Sequence, residues 1–162
     1  MSPPKLKRIV AIDTMTLIWG VRKQGNKDKL QHARNLFQML EREEAQVIVP
    51  SVVVAEFVTA FQSSEDRALA IAAISKRFLI EPFDVKDAAL AAQLWHYGKT
   101  QREKKVAGSR ICLRADSLIV ATAKNHGAEI FYTEDQHCRD LATAAKMIAR
   151  ELPRIPDSLF EQ

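Results

Sequence analysis

The stretch RIVAIDT, residues 8–14, decides the predicted fold of this chain. Its short run of branched apolar residues predicts a buried strand, and Asp13 and Thr14 indicate that the strand ends there in a loop. Similar runs follow along the sequence. Buried strands are predicted in AQVIVP (45–50) and AEIFYT (128–133), and weaker ones in FLIEPF (78–83) and MIAREL (147–152).

Helices are predicted between these strands, because apolar residues recur there at helical spacing. The predicted helices cover 16–23, 28–44 with Asp28 as the cap, a segment from Ser51 onward, 63–78 with Ser63 or Ser64 as the cap, 84–105, 113–127 and 136–147. Short strands alternating with helices of this length are typical of a parallel sheet covered on both faces. The predicted fold class is therefore α/β, with a twisted parallel sheet of about four to five strands.

Composition is that of an ordinary globular protein, with 162 residues, 47% hydrophobic and 27% charged. This length predicts one compact domain. The most apolar stretch, residues 47–61, is interrupted by Pro50 and Glu56, so we expect neither export nor membrane insertion. Cys112 and Cys138 lack the spacing of a zinc site or a disulfide framework, which favours a cytoplasmic protein.

Positive charge is concentrated in one stretch of the chain, although the net charge is only +4. Glu103 is the single acid among the six basic residues Lys99, Arg102, Lys104, Lys105, Arg110 and Arg114. Charge alone favours a solvated loop over a nucleic-acid contact, and both interpretations remain open at this point.

Four acidic residues come from segments that can meet at one edge of the predicted sheet. They are Asp13, Glu56, Asp116 and Asp135. Ligands of open parallel sheets bind beyond the carboxyl ends of the strands, where such residues converge. Each acid also has a simpler explanation, because the aspartates can cap or precede helices and Glu56 can lie on an exposed stripe.

If all four carboxylates lie close together, they require a divalent cation, because crowded carboxylates repel one another. Oxygen ligands favour Mg²⁺ or Mn²⁺ over zinc. The histidines offer no ligand spacing. His137 adjoins Cys138, His126 is expected to interact with the C-terminus of its helix, and His32 and His96 are expected on helix surfaces. No glycine-rich phosphate loop occurs in the sequence.

The segments IVAIDT, VPSVVVAEF, RADSLIVATA and YTED stand in the order and approximate spacing of a PIN-domain protein. The resemblance covers nearly the whole chain, and the small single-domain form is similar to the VapC-type toxins of toxin–antitoxin pairs. It implies one PIN-like domain over residues 1–162, with a core at about 8–152 and a tail at 153–162. One departure is Met15, which stands where this family commonly has asparagine.

The resemblance also implies an activity, that of an Mg²⁺- or Mn²⁺-dependent ribonuclease that leaves a 5′-phosphate. Asp13 and Asp116 would hold the metal ion, and Glu56 and Asp135 would act through water or a second ion. The supporting hydroxyls would be those of Thr14, Ser117 and Thr133, and the basic stretch would contact single-stranded or looped RNA.

Expected partners are the RNA substrate, a separate antitoxin and a second copy of the chain in a homodimer. Two rival functions remain open. One is a non-catalytic binding module for nucleic acid or protein with the same fold, and the other is an RNA-processing enzyme or DNA nuclease of that fold.

Overall fold

All strands of the described chain run parallel and lie close to their predicted positions. They are β1 (Ile9–Ile12), β2 (Gln46–Pro50), β3 (Leu79–Glu81), β4 (Ile130–Tyr132) and β5 (Ile148–Arg150). The sheet has the order β3-β2-β1-β4-β5, in which Val10 of β1 lies opposite Val47 on one side and Ile130 on the other. The structure, a computed structural model, describes residues 6–103 and 110–156, and the side chains of 102–113 are outside that description.

Helices connect the strands, as expected for parallel pairs, which need crossover connections. They are α1 (Thr14–Leu17), α2 (Lys27–Arg42), α3 (Ser51–Val58), α4 (Ser64–Arg77), α5 (Val85–Glu103), α6 (Arg110–Asn125) and α7 (Gln136–Ala144), with a π-helical turn at Ile18–Arg22. No described helix has the length and apolar character that a membrane span requires.

Helix boundaries differ from the predictions at several places. The α1 helix begins at Thr14, two residues early, because the Asp13 side chain accepts a hydrogen bond from the Thr16 backbone. Asn26 caps α2, whereas Asp28 was predicted, and Asp28 lies in the first turn instead. The α6 helix begins at Arg110, ahead of the predicted start at 113, and the predicted end of α5 at 104–105 is outside the described residues.

Both faces of the sheet are covered. Consecutive strand residues point to opposite faces, and Val10, Ala11 and Ile12 are all fully buried. The three residues of β4, including Phe131, are buried as well. A five-stranded parallel sheet enclosed between helices is the predicted α/β fold, and it places the carboxyl ends of the central strands β1 and β4 side by side.

Gly20 in the π-helical turn lies against the ring of Phe37 from α2, and a Cβ atom at position 20 would overlap that ring. The ring is itself held by Phe78, with ring centroids 5.6 Å apart, and by the Arg77 guanidinium. We therefore expect Gly20→Ala to lower the free energy of unfolding by about 1–3 kcal/mol, a typical effect of overpacking. Urea denaturation measures this change. Combining Gly20→Ala with Phe37→Leu should recover part of the lost free energy of unfolding. If the free-energy losses of the two substitutions simply added, the proposed overlap would be contradicted.

Candidate active site

Asp13 occupies the carboxyl end of β1 and caps α1. Its Oδ1 atom accepts a hydrogen bond of 2.9 Å from the Thr16 backbone N–H. Its Oδ2 atom accepts one of 2.5 Å from the Thr133 hydroxyl, which comes from the loop after β4. Only 8% of Asp13 is exposed. The neighbouring strand ends are thus joined through one buried carboxylate.

Burial raises the pKa of Asp13 above its ordinary value, because a charged carboxylate loses its hydration. Hydrogen bonds from Thr133 and Thr16 oppose this shift, and the charge of Asp135 adds to it. The net direction remains upward. A nearby positive charge would therefore stabilise the ionised form of Asp13.

Thr133 and Asp135 form the matching turn at the end of β4. Thr133 is fully buried, and its Oγ1 atom accepts a hydrogen bond of 3.0 Å from the Asp135 backbone N–H while donating to Asp13. The Asp135 side chain caps α7 by accepting from the Cys138 N–H at 2.9 Å. Asp135 is exposed to solvent. One hydroxyl thus connects the Asp13 side chain to the backbone of Asp135.

Glu56 is half-buried on α3, the helix that follows β2. The Thr14 hydroxyl, from the first residue of α1, donates a short hydrogen bond to Glu56 Oε2. The α1 and α3 helices pack against each other, so Thr14 at the start of α1 faces the carboxylate of Glu56. The expected alternative for Glu56, a freely exposed stripe, is not what the structure shows.

Asp116 enters the same region from α6. Its charge acts on the buried Cys138 thiol. Burial raises the pKa of this thiol well above its ordinary value, and the charges of Asp116, Asp13 and Asp135 raise it further. The charges of these three acids therefore act on one thiol. The α6 helix also packs against α3, which carries Glu56, and Ser117 is almost fully buried beside Asp116. A thiol held neutral in this way is a poor nucleophile.

The four predicted acids thus lie toward one edge of the sheet, directly after β1, on α3, on α6 and in the turn after β4. Among the described side chains, no ion pair joins a lysine or arginine to Asp13, Glu56 or Asp135. Carboxylate oxygens with hydroxyl neighbours suit a hard divalent cation. The residues present therefore fit an Mg²⁺ or Mn²⁺ ion.

Four basic residues of the predicted RNA-contacting stretch belong to helices, and among them only Arg110 lies outside the predicted helices 84–105 and 113–127. Lys99 on α5 and Arg114 on α6 place their charged groups 5.9 Å and 5.4 Å from the centre of the Trp95 ring. Arg114 precedes Asp116 by two positions in the sequence. Lys104 and Lys105, and the side chains of Arg102 and Arg110, are outside the described part of the chain.

Glu134 is a residue that sequence reasoning missed, since it was assigned only a role in ending the strand. Its side chain is 9% exposed and accepts hydrogen bonds from Lys29 Nζ at 2.5 Å and from the Leu152 backbone at 2.9 Å. Burial acts to raise the pKa of Glu134, but these hydrogen bonds, with the charges of Lys29 and Arg154, lower it overall. Glu134 thus ties the turn that carries Asp135 to α2 and to the C-terminal segment.

Glu134→Gln is expected to lower the free energy of unfolding at pH 7 by about 1–2 kcal/mol, because Lys29 loses a charged acceptor. The pKa of Glu134 is lower in the folded state, so its contribution is present at neutral pH and is lost as the pH falls through that value. Urea denaturation at pH 7 and under acid conditions measures both effects. Glu151→Gln is the control, because Glu151 is half exposed and its pairs contribute little. Equal effects of the two variants would contradict the role of Glu134.

One cavity among the described residues lies away from the acids. It has a volume of about 620 Å³ and is lined by α2 and the π-helical turn, including Trp19, Phe37, Lys27 and Arg34. None of the four acids lines it. The acidic edge of the sheet, rather than this cavity, carries the groups capable of hydrolytic chemistry.

Known proteins share this architecture. Three solved structures superimpose on most of the chain. VapBC2 from Rickettsia felis bound to a promoter DNA fragment has a TM-score of 0.61 and 16% identity, and covers 90% of this chain and 99% of its own. VapBC-1 from nontypeable Haemophilus influenzae has a TM-score of 0.62 and 14% identity, with coverage of 88% and 97%. VapC20 from Mycobacterium tuberculosis, a toxin that cleaves the sarcin-ricin loop, has a TM-score of 0.52 and 16% identity, with coverage of 83% and 94%.

Identities this low establish a shared fold only. A comparison with curated protein sequences gives no significant match. The model of the PIN domain family, however, matches residues 10–144, which is most of the chain and includes all four acids. The chain therefore belongs to the PIN domain family.

Proposed function

We propose that this protein is a divalent-metal-dependent endoribonuclease and the toxin of a toxin–antitoxin pair. The observation that carries the proposal is that the charges of Asp13, Asp116 and Asp135 all act on one buried thiol, while Glu56 accepts a hydrogen bond from the Thr14 hydroxyl. Such an arrangement is unfavourable for a protein without a ligand, because burial and repulsion both oppose ionisation. It is favourable for one that binds a cation and an RNA phosphate.

Asp13 and Asp116 would hold the metal ion, with Glu56 and Asp135 orienting water ligands or a second ion. The Thr133 and Thr16 groups fix the Asp13 carboxylate, and the Thr14 hydroxyl fixes Glu56. When bound, an Mg²⁺ or Mn²⁺ ion makes a water molecule more acidic and offsets the negative charge that develops on the phosphate. The supporting hydroxyls of Thr14, Ser117 and Thr133 keep the carboxylates in place for that reaction, which leaves a 5′-phosphate.

RNA would approach along the α5 and α6 helices. Lys99 and Arg114 supply positive charge there, and their groups lie over Trp95, close to the helix position of Asp116. Such residues bind the phosphate backbone and position it without reading its sequence. Single-stranded or looped RNA is the proposed target, because its backbone can enter a cleft that a duplex cannot.

The partner proposals rest on the structural relatives and on exposed apolar residues. The similar solved structures are VapBC structures, and VapC-type toxins belong to toxin–antitoxin pairs. We therefore propose a separate antitoxin that covers the acidic edge with a basic side chain. Leu69 and Ile71 on α4 and Val85 and Tyr97 on α5 are exposed, which supports a homodimer through these helices. We further propose a cytoplasmic protein with a domain core at 8–152 and a tail at 153–162.

The test is cleavage of RNA and of DNA of matched sequence by the purified protein with Mg²⁺, Mn²⁺ or EDTA, beside Asp13→Asn and Asp116→Asn. We expect cleavage of RNA that requires the metal and is lost in both variants. Cleavage of DNA at an equal or higher rate would assign the protein to the rival class of DNA nucleases.

The non-catalytic rival gives a different result. A folded wild-type protein that leaves a mixed structured RNA intact, and whose melting temperature does not respond to millimolar Mg²⁺ or Mn²⁺, would contradict the proposal. An inert acidic pocket in a binding module would then be the better interpretation. Asparagine keeps the cap of α1 at position 13, so loss of cleavage in that variant reports on chemistry rather than on folding.

A further inference from the structure

A second group of titratable residues lies where the start of α5 meets the end of α6. It consists of Glu81, Asp84, Asp87 and His126, and we call it the α5–α6 cluster. The His126 Nδ1 atom lies 2.9 Å from Glu81 Oε2, and its Nε2 atom lies 3.5 Å from Asp87 Oδ2. The sequence assigned His126 to the C-terminus of its own helix, but its ring contacts acids from β3 and α5.

This cluster is separate from the candidate active site. His126 follows the last residue of α6, whereas Asp116 lies in the first half of that helix. Ten residues of an α-helix span about 15 Å. Nothing in the proposed cleavage of RNA uses these residues.

The two aspartates have a structural role that explains part of the cluster. Asp84 Oδ1 accepts hydrogen bonds from the backbone of Lys86 and Asp87, at 2.8 Å and 3.1 Å, while Asp87 Oδ2 accepts from the Asp84 backbone at 2.9 Å. This reciprocal arrangement is a capping box at the start of α5. Asp87 Oδ1 accepts from the Asn125 amide at 2.9 Å. The capping box does not explain why a histidine faces it.

The His126 ring has the arrangement of a metal ligand. Its Nδ1–H can donate to Glu81, which leaves the lone pair of Nε2 facing the fully buried Asp87. The Nε2 atom is buried, and the described residues give it no hydrogen-bond partner. A lone pair opposite a carboxylate oxygen is repulsive unless a positive charge lies between them. Metal-binding histidines commonly donate their other ring N–H to a carboxylate in this way.

We propose that the α5–α6 cluster binds a divalent transition-metal ion such as Zn²⁺, with His126 Nε2, Asp87 and Asp84 as ligands. One ligand atom of each lies within 4.8 Å of the others. Ligand atoms of a tetrahedral zinc site are about 3.4 Å apart, which matches the 3.5 Å between Nε2 and Asp87 Oδ2. An imidazole with two carboxylates suits zinc better than magnesium. Glu81 orients the ring, and the bound ion ties β3 and α5 to the end of α6.

The test uses calorimetric titration of metal-free protein with ZnCl₂, in the Asp13→Asn, Asp116→Asn background so that the active-site acids contribute little. We expect one zinc ion per chain and a rise in melting temperature on binding. Asp84→Asn should weaken zinc binding at least about tenfold while keeping the helix cap, because asparagine caps as well as aspartate. His126→Gln should weaken it further, and Glu81→Gln should weaken it about 10- to 100-fold.

His96→Gln is the matched control, because His96 is an exposed histidine of α5 outside the cluster. It should bind zinc with unchanged affinity. Absence of zinc binding in the background protein would overturn the proposal and indicate that a proton on His126 links the acids. Zinc binding that survives both Asp84→Asn and His126→Gln unchanged would overturn it as well. Because the background protein lacks the two acids proposed to hold the active-site metal ion, the result does not depend on whether the protein cleaves RNA.

Discussion

Replacing Asp116 with asparagine is expected to lower the rate of metal-dependent RNA cleavage by at least about 10²- to 10³-fold, the loss typical of removing one electrostatic contact to a reacting phosphate or its metal. Asp116 enters the acidic edge from α6 and adds to the negative charge around Cys138. Asparagine preserves the size of the side chain and removes that charge. Initial rates at saturating Mg²⁺ and Mn²⁺ measure the effect.

Asp140→Asn is the matched control for this change. Asp140 is an exposed aspartate of α7 that is not one of the four acids, and its Oδ1 accepts a hydrogen bond from the Gln136 amide. We expect its cleavage rate to remain within about twofold of wild type. If Asp116→Asn cleaved as fast as Asp140→Asn, Asp116 would have no part in the reaction, and the assignment of the metal ligands would have to change.

Asp13→Asn is expected to make the metal-free protein more stable at pH 7 while removing its response to metal. In EDTA the melting temperature should rise by at least about 2 °C, because the variant lacks a buried carboxylate whose ionisation is unfavourable. Asparagine still accepts the hydrogen bond from the Thr16 backbone that caps α1. In millimolar Mg²⁺ or Mn²⁺ only the wild type should gain stability, since binding to the folded state alone is stabilising.

The pH dependence of this effect has a definite sign. The pKa of Asp13 is higher in the folded chain than its ordinary value of 3.8, so the folded state retains the proton to higher pH than the unfolded state does. Wild-type stability therefore falls as the pH rises from about 3.8 through the folded pKa. The gain from Asp13→Asn should vanish near pH 4 and should grow as the pH is raised from there toward pH 8. Thermal melts in EDTA across this range measure it, and a variant less stable than wild type at pH 8 would contradict the role of burial.

Much of the fold could be predicted from local pattern. The IVAI run of β1 is apolar at every position, and Val10, Ala11 and Ile12 are buried on both faces of the sheet, as a central parallel strand requires. Ser63 caps α4 and Gly127, at a φ of 91°, follows the end of α6, as the sequence indicated. The cap of α2 was missed by two residues because Asn26 and Asp28 are both good caps and only the backbone path selects one.

The sequence could propose the acids of the candidate site, but not the hydrogen bonds that connect them. Asp13 and Asp135 stand next to apolar strands in the sequence, which marks their position at the edge. The Thr133 hydroxyl that joins them donates across 120 positions of the chain, and Lys29 reaches Glu134 across 105. No local pattern contains such pairs. His126 was misinterpreted for the same reason, since Glu81 and Asp87 come from other elements.

The sequence by itself therefore determined the strands, the helices between them and the four acids at their ends, because these follow from periodicity and from residue types within a few positions. Only the tertiary structure decided how charge is distributed among those acids. The pKa of a carboxylate depends on burial and on charges brought close by packing. Packing raises the pKa of Asp13 and lowers that of Glu134. It also lets the charge of Asp116 act on the buried thiol of Cys138.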